Sequence, residues 1–134
     1  MGEAGGITSG GVGSVPRNAR SLPRAEIHPG YDPTLDLVAA NSEGEFGSYC
    51  ICWLVPASKT GLFEPVGTAP DHRRKGLGRA VMLEGMRRLQ DFGAEDALIT
   101  YVGGNEAAAR LYESVGFQIV AREYLYGRKL EGFL

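Results

Sequence analysis

The sequence has little of several features that would assign a protein class at once. Only 2 cysteines and 2 histidines occur in 134 residues, and no apolar run approaches the ~20 residues that a membrane-spanning helix needs. The N-terminus has no apolar signal core, so we expect a soluble cytoplasmic protein without a membrane partner. With 14 Lys and Arg against 16 Asp and Glu, a broad nucleic-acid footprint is not expected either. Any anion-binding site must therefore be local.

The scarcity of cysteine and histidine also bears on metal and disulfide chemistry. Cys50 and Cys52 are two residues apart in an apolar run typical of a β-strand, so both side chains point to one face without disulfide geometry. We predict two buried free thiols. A metal site would need further ligands, and His28 and His72 do not lie at metal-ligand spacing. We therefore expect no metal cofactor.

The chain divides into a short arm and one domain. Residues 1–30 are rich in glycine and proline and poor in apolar side chains, which predicts a flexible arm; residues 31–134 form the domain. Two β-type runs, "LDLVAA" and "GSYCICWLV", are joined by "NSEGEF", a hairpin signal. A third run, "GLFEPVGT", contains Pro65, which cannot donate to a sheet ladder and indicates a bulge or an edge.

Two helices and two further strands are predicted after these runs. The first helix extends roughly from Gly76 to Phe92, with Arg87 and Arg88 as solvated charge. "DALITYV" predicts a strand buried on both faces, and "NEAAARLYESVGF" predicts a helix that is capped by Asn105 and stopped at Gly116. "FQIVAREYLYGRKL" predicts a long or broken final strand. This order describes an α+β domain around a mixed sheet. The predicted apolar face of the first helix consists of Gly78, Val81, Met82, Gly85, Leu89 and Phe92.

The entrance of the first helix has the chemistry of an anion site. A helix N-terminus presents unpaired N–H groups and a partial positive charge, and two glycines would let a ligand approach the main chain. A dinucleotide fingerprint would need a small residue at Val81, and a Walker loop would need a glycine directly before the lysine of "SKT". A basic helix in a DNA groove is a further alternative, but the apolar face commits the helix to a core. The cations at this entrance are Arg73, Arg74, Lys75 and Arg79.

Two motifs resemble those of a known family. "RRKGLG", read as Arg-x-x-Gly-x-Gly from Arg73 to Gly78, resembles the signature of the GNAT superfamily of acyl-CoA-dependent N-acetyltransferases. "NEAAARLYESVGF" is similar to the companion motif downstream. The resemblance covers residues 35–128 and implies a mixed, mostly antiparallel central sheet flanked by helices. The usual N-terminal strand and two helices are expected to be lacking, because prolines and glycines interrupt the residues before "LDLVAA".

The resemblance implies acetyl-CoA (coenzyme A) as the cosubstrate. Main-chain amides after Arg73 would hold its pyrophosphate, and its pantetheine arm would lie along the third β-type run. Asn105 and Ala108 would contact it from the second helix. The cofactor-binding residues implied in this way are Val66, Gly67, Thr68, Arg73, Arg74, Lys75, Gly76, Leu77, Gly78, Arg79, Asn105, Ala108 and Tyr112.

The resemblance also implies two catalytic residues. An alkyl amine is mostly protonated at neutral pH, so a base must remove a proton before the amine attacks a thioester. Glu64 matches the family glutamate and is the candidate base. A surface or salt-bridged carboxylate without a catalytic role is an equally weighted interpretation of Glu64. Tyr112 matches the family tyrosine that protonates the departing thiolate, with Tyr101 and Tyr124 as substitutes. These residues predict an N-acetyltransferase acting on a primary amine of an unidentified small molecule or peptide.

Two alternatives remain open from the sequence. The first is a non-catalytic acetyl-CoA-binding sensor or structural module. The second concerns the acceptor side of the cleft, which a second subunit or the N-terminal arm would complete, unless the chain is a shortened enzyme. A missing edge strand would leave sheet and core exposed, so we expect a homodimer.

Overall fold

The computed structural model describes residues 12–14, 28–68 and 76–133. They form a five-stranded sheet whose strands lie in sequence order. The first four strands are antiparallel to their neighbours, and the fifth is parallel to the fourth. The strands are β1 (Val12–Ser14), β2 (Asp36–Ala40), β3 (Phe46–Val55), β4 (Thr60–Thr68) and β5 (Asp96–Ile99).

The hairpin between β2 and β3 forms where the sequence predicts it. The Asn41 side-chain oxygen accepts hydrogen bonds from the N–H groups of Glu43 and Glu45, each at 3.0 Å. Gly44 has a φ of 82°, in the left-handed region that favours glycine. These local bonds close the turn and set the two strands side by side.

Two helices flank the sheet. Helix α1 (Leu77–Asp91) connects β4 to the parallel strand β5, as parallel pairing requires a crossover. Helix α2 (Glu106–Ser114) follows β5. The predicted apolar face of α1 is confirmed except at Phe92, which lies past the helix end and is 47% exposed. The buried residues of α1 are Gly78, Val81, Met82, Gly85 and Leu89. Of these, Val81, Met82 and Leu89 belong to one core with Leu37, Cys50, Cys52 and Phe63 of the sheet.

The predicted α+β class with a mixed, mostly antiparallel sheet is confirmed, and the structure adds one strand to it. Strand β1 pairs with β2, with Val12 opposite Ala39 and Ser14 opposite Leu37. The sequence predicted no strand before "LDLVAA", because three residues next to glycine-rich sequence carry too weak a local signal. Most of the predicted flexible arm, residues 1–11 and 15–27, lies outside the described residues, so that expectation stays a prediction.

The C-terminal part of the chain differs from the prediction. Strand β5 spans only Asp96–Ile99, and its residues alternate between exposed and half-buried, so the prediction of a strand buried on both faces is wrong. Its outer edge has no neighbouring strand among the described residues. The predicted final strand is wrong: residues 117–130 have neither strand nor helix. A groove of about 890 Å³ separates β5 from residues 117–124. A strand needs a neighbouring strand for its backbone hydrogen bonds. The neighbour available to residues 117–130 is the outer edge of β5, and these residues do not reach it.

The C-terminal half of α1 is held by a charged side chain that the sequence assigned to solvent. The Arg88 side chain is only 19% exposed; its Nε lies 2.8 Å from Glu84 Oε1, and its guanidinium donates to Thr34 O at 2.7 Å. Hydrogen bonds from Arg87 and Arg88 lower the pKa of Glu84 to about 2. Arg88 therefore ties α1 to the 3₁₀ turn Pro33–Leu35 that leads into β2.

The prediction of two buried free thiols is confirmed. Cys50 and Cys52 are buried and unlinked, with their sulfur atoms 3.8 Å apart. The hydrogen bond to Cys52, together with burial, raises the pKa of Cys50 above its usual range. Both side chains belong to the buried core. In the described ranges, the two helices are each too short and too polar to cross a membrane.

Candidate active site

Strands β4 and β5 part from each other after four paired residues. Pairing extends from Thr60 opposite Asp96 to Phe63 opposite Ile99, where β5 ends. Strand β4 continues through Glu64 to Thr68 with no β5 partner. Its backbone groups on that side therefore face an opening, which is the arrangement that lets an extended ligand pair with a strand edge.

A β-bulge lies at the start of this opening, as Pro65 predicted. Cys50 pairs with Val66 and Cys52 pairs with Phe63, so Ile51 faces both Glu64 and Pro65. The bulge leaves the Glu64 carbonyl out of the regular ladder, and the Trp53 indole donates to it at 2.8 Å. The Glu64 side chain is exposed, and its carboxylate forms no ion pair or hydrogen bond with any described residue.

Beyond the bulge, the backbone of β4 turns alternate groups toward the opening. The Ser48 hydroxyl donates to Gly67 O at 2.9 Å, so this carbonyl faces β3. Because backbone groups alternate along a strand, those of Val66 and Thr68 face the opening. The Tyr49 ring covers Gly67, where a β-carbon would lie 2.6 Å from Tyr49 Cε1. Only glycine allows the ring to lie there.

Helix α1 begins beside the end of β4. Gly76 precedes it with a φ of 74°, and space around Gly76 is open, so a residue with a side chain would be strained there. Ala80 N donates to Gly76 O at 3.0 Å, while the N–H groups of Leu77, Gly78 and Arg79 bond to no described residue. These three donors and the helix dipole give the site a local positive potential. Arg73, Arg74 and Lys75, also predicted to bind the cofactor, lie outside the described residues.

Gly78 brings the end of β4, the start of α1 and helix α2 together. A β-carbon at Gly78 would lie 3.1 Å from Leu111 Cδ2 and 3.4 Å from Thr68 Oγ1. Gly78 therefore has a packing role, in agreement with its place on the predicted apolar face of the helix. This contact places three of the predicted cofactor-binding elements around one corner of the fold.

Helix α2 carries the remaining candidates and begins and ends as predicted. The Asn105 side chain accepts from Ala108 N at 3.1 Å, and Gly116, with a φ of 97°, follows its last turn. Asn105 is exposed, so its side-chain amide N–H groups remain available while it caps the helix. Ala108 is half-buried.

Tyr112 is half-buried in an aromatic cluster that reaches β4 through Phe117. Its ring centroid lies 6.0 Å from that of Tyr101 and 6.3 Å from that of Phe117, and Phe117 lies 5.9 Å from Phe63, the last paired residue of β4. Burial raises the pKa of Tyr112 above its ordinary value, so the phenol stays protonated at neutral pH. Its hydroxyl has no hydrogen-bond partner in the part of the chain that the structure describes.

The candidates do not all share one cavity. Tyr101, Tyr112 and Tyr124 line the groove beyond β5, whereas Glu64, Val66 and Thr68 do not. Sequence reasoning missed Tyr49 and the role of Trp53 in supporting the bulge. Their alternation with Cys50 and Cys52 was the available signal, since it places both aromatic rings on the sheet face opposite α1.

Among the described residues, no three His, Cys, Asp or Glu side chains are grouped so that they could hold a metal ion. The similarity of this chain to known proteins includes both sequence motifs. A family model described as the acetyltransferase (GNAT) family matches residues 14–117. The chain belongs to the GNAT family. The resemblance carried by "RRKGLG" and "NEAAARLYESVGF" is thereby confirmed.

Individual GNAT relatives agree with this assignment. A mycothiol acetyltransferase from Nocardiopsis dassonvillei is 32% identical over 114 residues, which cover 78% of this chain and 34% of that protein. The chain thus spans about a third of the length of this curated relative. The ribosomal-protein-S18-alanine N-acetyltransferase from Escherichia coli superposes with a TM-score of 0.66 at 20% identity, covering 84% of this chain and 79% of the other.

A further solved structure of this fold contains the expected cosubstrate. This acetyltransferase from Bacillus anthracis, in complex with acetyl coenzyme A, has a TM-score of 0.59 at 15% identity and covers 64% of this chain and 49% of the other. At these identities the solved structures establish the fold that this chain shares with them.

Proposed function

We propose that the chain is an N-acetyltransferase that transfers an acetyl group from acetyl-CoA to a primary amine of a small molecule or peptide. The observation that carries this proposal is the opening between β4 and β5, which lies beside N–H groups at the start of α1 that bond to no described residue. A strand edge and a helix N-terminus at one corner fit the two halves of an acetyl-CoA molecule, an amide-containing arm and a diphosphate.

The described residues fit acetyl-CoA in three places. The N–H groups of Leu77, Gly78 and Arg79 are proposed to hold the diphosphate, assisted by the cations of the preceding loop. Val66 and Thr68 are proposed to pair with the pantetheine amides, because their backbone groups face the opening. Asn105 and Ala108 would contact the cosubstrate from α2. When bound there, acetyl-CoA supplies an activated acyl thioester.

The two proposed catalytic residues act on protons. The Glu64 carboxylate is exposed and free of described partners, so it is available to take a proton from the amine, directly or through water. The Tyr112 hydroxyl is proposed to donate a proton to the departing thiolate. The raised pKa of Tyr112 keeps that proton in place at neutral pH. The departing thiolate can accept it, because the corresponding thiol has a pKa of roughly 8.5 and is protonated at neutral pH.

The amine is proposed to approach from the sheet face opposite α1. The face next to α1 is filled by Cys50, Cys52 and Phe63, which pack against the helix. Tyr49 lies on the opposite face, is 44% exposed, and covers Gly67 beside the opening. An aromatic ring near an exposed carboxylate suits a cationic amine. The homodimer and the cytoplasmic location expected from the sequence remain predictions.

The test measures thiol release from acetyl-CoA with a panel of amines. We expect Tyr112→Phe to lower kcat by roughly 10²-fold, because the substitution removes a proton donor. Acetyl-CoA should still raise the melting temperature of this variant. Tyr101→Phe is the comparison variant: its ring packs against Tyr112, and its hydroxyl is only the substitute donor, so we expect kcat to change little. Glu64→Gln should lower kcat most at pH values below the pKa of the acceptor amine, because the protonated amine then needs a base.

Three results would count against the proposal. Stabilisation by acetyl-CoA without acetylation of any amine would favour the alternative, a non-catalytic binding module. Equal loss of activity in Tyr112→Phe and Tyr101→Phe would assign Tyr112 a packing role only. If acetyl-CoA did not stabilise the protein at all, the chain would have no acetyl-CoA site where we propose one.

A further inference from the structure

A buried hydroxyl group lies on the core-facing side of β3, opposite the last residue of β4. Ser48 is only 2% exposed and pairs with Thr68. Its side chain alternates with Tyr49 and shares the face of Cys50 and Cys52, which belong to the core next to α1. A hydroxyl group that is buried without hydrogen bonds costs free energy, so the partners of Ser48 determine what a serine contributes at this position.

The two hydrogen bonds of Ser48 fix the direction of each proton. Ser48 Oγ lies 2.9 Å from Gly67 O and 3.1 Å from Thr68 Oγ1. A carbonyl oxygen can only accept, so the single hydroxyl proton of Ser48 goes to Gly67 O. The bond between the two hydroxyl groups must then use the proton of Thr68. The Thr68 oxygen therefore keeps acceptor capacity and has no proton left to donate.

This acceptor lies against the start of α1. A β-carbon at Gly78, in the first turn of α1, would lie 3.4 Å from Thr68 Oγ1, and Ser48 is its only hydrogen-bond partner within the described ranges. An oxygen atom that only accepts suits an N–H or O–H group and not a phosphate oxygen, which is itself an acceptor. The diphosphate of acetyl-CoA offers no such donor, whereas the pantetheine arm carries amide N–H groups and a hydroxyl group.

The same two bonds fix the register of β4 after the bulge. A bulge inserts an extra residue, and a shift of the following pairs by one residue would turn the opposite set of backbone groups to the opening. The bond between hydroxyl groups forms only when Thr68 lies opposite Ser48, because the neighbouring Gly67 and Ala69 have no hydroxyl group. Ser48 thus keeps the backbone groups of Val66 and Thr68 directed to the opening.

We propose that Ser48 is a positioning residue for the pantetheine arm of acetyl-CoA. It holds the register of β4 beside the opening and makes the Thr68 hydroxyl group an acceptor for an N–H or O–H group of the arm. This inference rests on the proposed acetyl-CoA site and adds which half of the cosubstrate lies against Thr68. The diphosphate half, held by N–H groups at the start of α1, does not need Ser48.

The test compares acetyl-CoA with its nucleotide half, 3′-phospho-ADP, which lacks the arm. Calorimetry on the full chain without an amine gives both dissociation constants, so the result does not depend on acetyl transfer. Ser48→Ala should raise the dissociation constant of acetyl-CoA about tenfold, equivalent to about 1.4 kcal/mol, and leave that of 3′-phospho-ADP almost unchanged. Thr68→Val keeps the shape of the side chain and should have the same selective effect. Combining the two substitutions should add little, because the two hydroxyl groups act as a pair.

Ser114→Ala is the matched control. Ser114 Oγ also donates to a backbone carbonyl, Leu111 O at 2.6 Å, but Ser114 is exposed at the end of α2, so neither dissociation constant should change. Unchanged binding of acetyl-CoA by Ser48→Ala would overturn the inference and leave the proposed function standing. Equal weakening of both ligands would also overturn it, because Ser48 would then support the whole site. If the unsubstituted protein bound neither ligand, the proposed function would fail and the role of Ser48 with it.

Discussion

Gly85→Ala tests whether α1 lies as close to the sheet as the structure places it. A β-carbon at Gly85 would lie 2.8 Å from Cys52 Sγ and 2.8 Å from Phe63 Cε1. Both neighbours are buried, at 1% and 3% exposure, and Phe63 is also packed against Phe117. Neither side chain has free space into which it can turn, so the helix itself must move.

The size of the effect follows from two opposing contributions. Ordinary carbon contacts begin near 3.5 Å, so α1 must move outward by roughly 0.7 Å. Overpacking of a filled core costs about 1–3 kcal/mol, and two rigid neighbours place this site near the upper value. Replacing a mid-helix glycine by alanine returns about 1 kcal/mol through helix propensity. We therefore expect a net loss of about 2 kcal/mol in the free energy of unfolding.

Urea and thermal denaturation measure this loss. For a domain of this size we expect the melting temperature to fall by roughly 6–10 °C. Gly103→Ala is the control: Gly103 has open space around it and no positive φ, so stability should change by less than about 0.5 kcal/mol. If Gly85→Ala is as stable as the unchanged protein, or more stable, then α1 is not packed against β3 and β4 as described.

Two further predictions concern α1 and the bulge. Glu84 has a pKa of about 2 because Arg87 and Arg88 bond to its carboxylate. Its contribution to stability is present above the unfolded pKa near 4.3 and is lost as pH falls through about 2, so Glu84→Gln should cost about 1 kcal/mol near pH 6 and much less near pH 2. An equal cost at both pH values, measured by urea denaturation, would refute this reasoning. Trp53→Phe removes the donor to Glu64 O and should lower the urea midpoint by the equivalent of about 1 kcal/mol; an unchanged midpoint would show that the bond does not stabilise the bulge.

The helices and the bulge were predictable because their causes are local. Asn105 caps α2 and Gly116 follows its last turn through contacts within a few residues. Pro65 disturbs β4 because it lacks an N–H group, whatever the rest of the fold. The apolar face of α1 follows from helical periodicity alone. In each case the sequence contains both partners of the interaction within one or two turns.

Residues 117–130 and Arg88 show where such reasoning stops. "FQIVAREYLYGRKL" has the composition of a strand, but its backbone partner would be β5, and the structure keeps the two apart. Arg88 follows another arginine on a helix, and this pattern predicts that its side chain lies in solvent. Its actual partner, the Thr34 carbonyl, is distant in sequence and is brought there only by the packing of α1 on the sheet.

By itself, the sequence determined the family, the order of the elements from β2 to α2 and the two motifs at the starts of α1 and α2, because propensity, capping and glycine spacing act over short distances. Only the tertiary structure decided where β4 and β5 part, that Tyr49 covers Gly67, and that Tyr112 is half-buried with a raised pKa. These features depend on strand pairing and on burial. Both are set by residues far apart in the chain, whose meeting is a property of the folded whole.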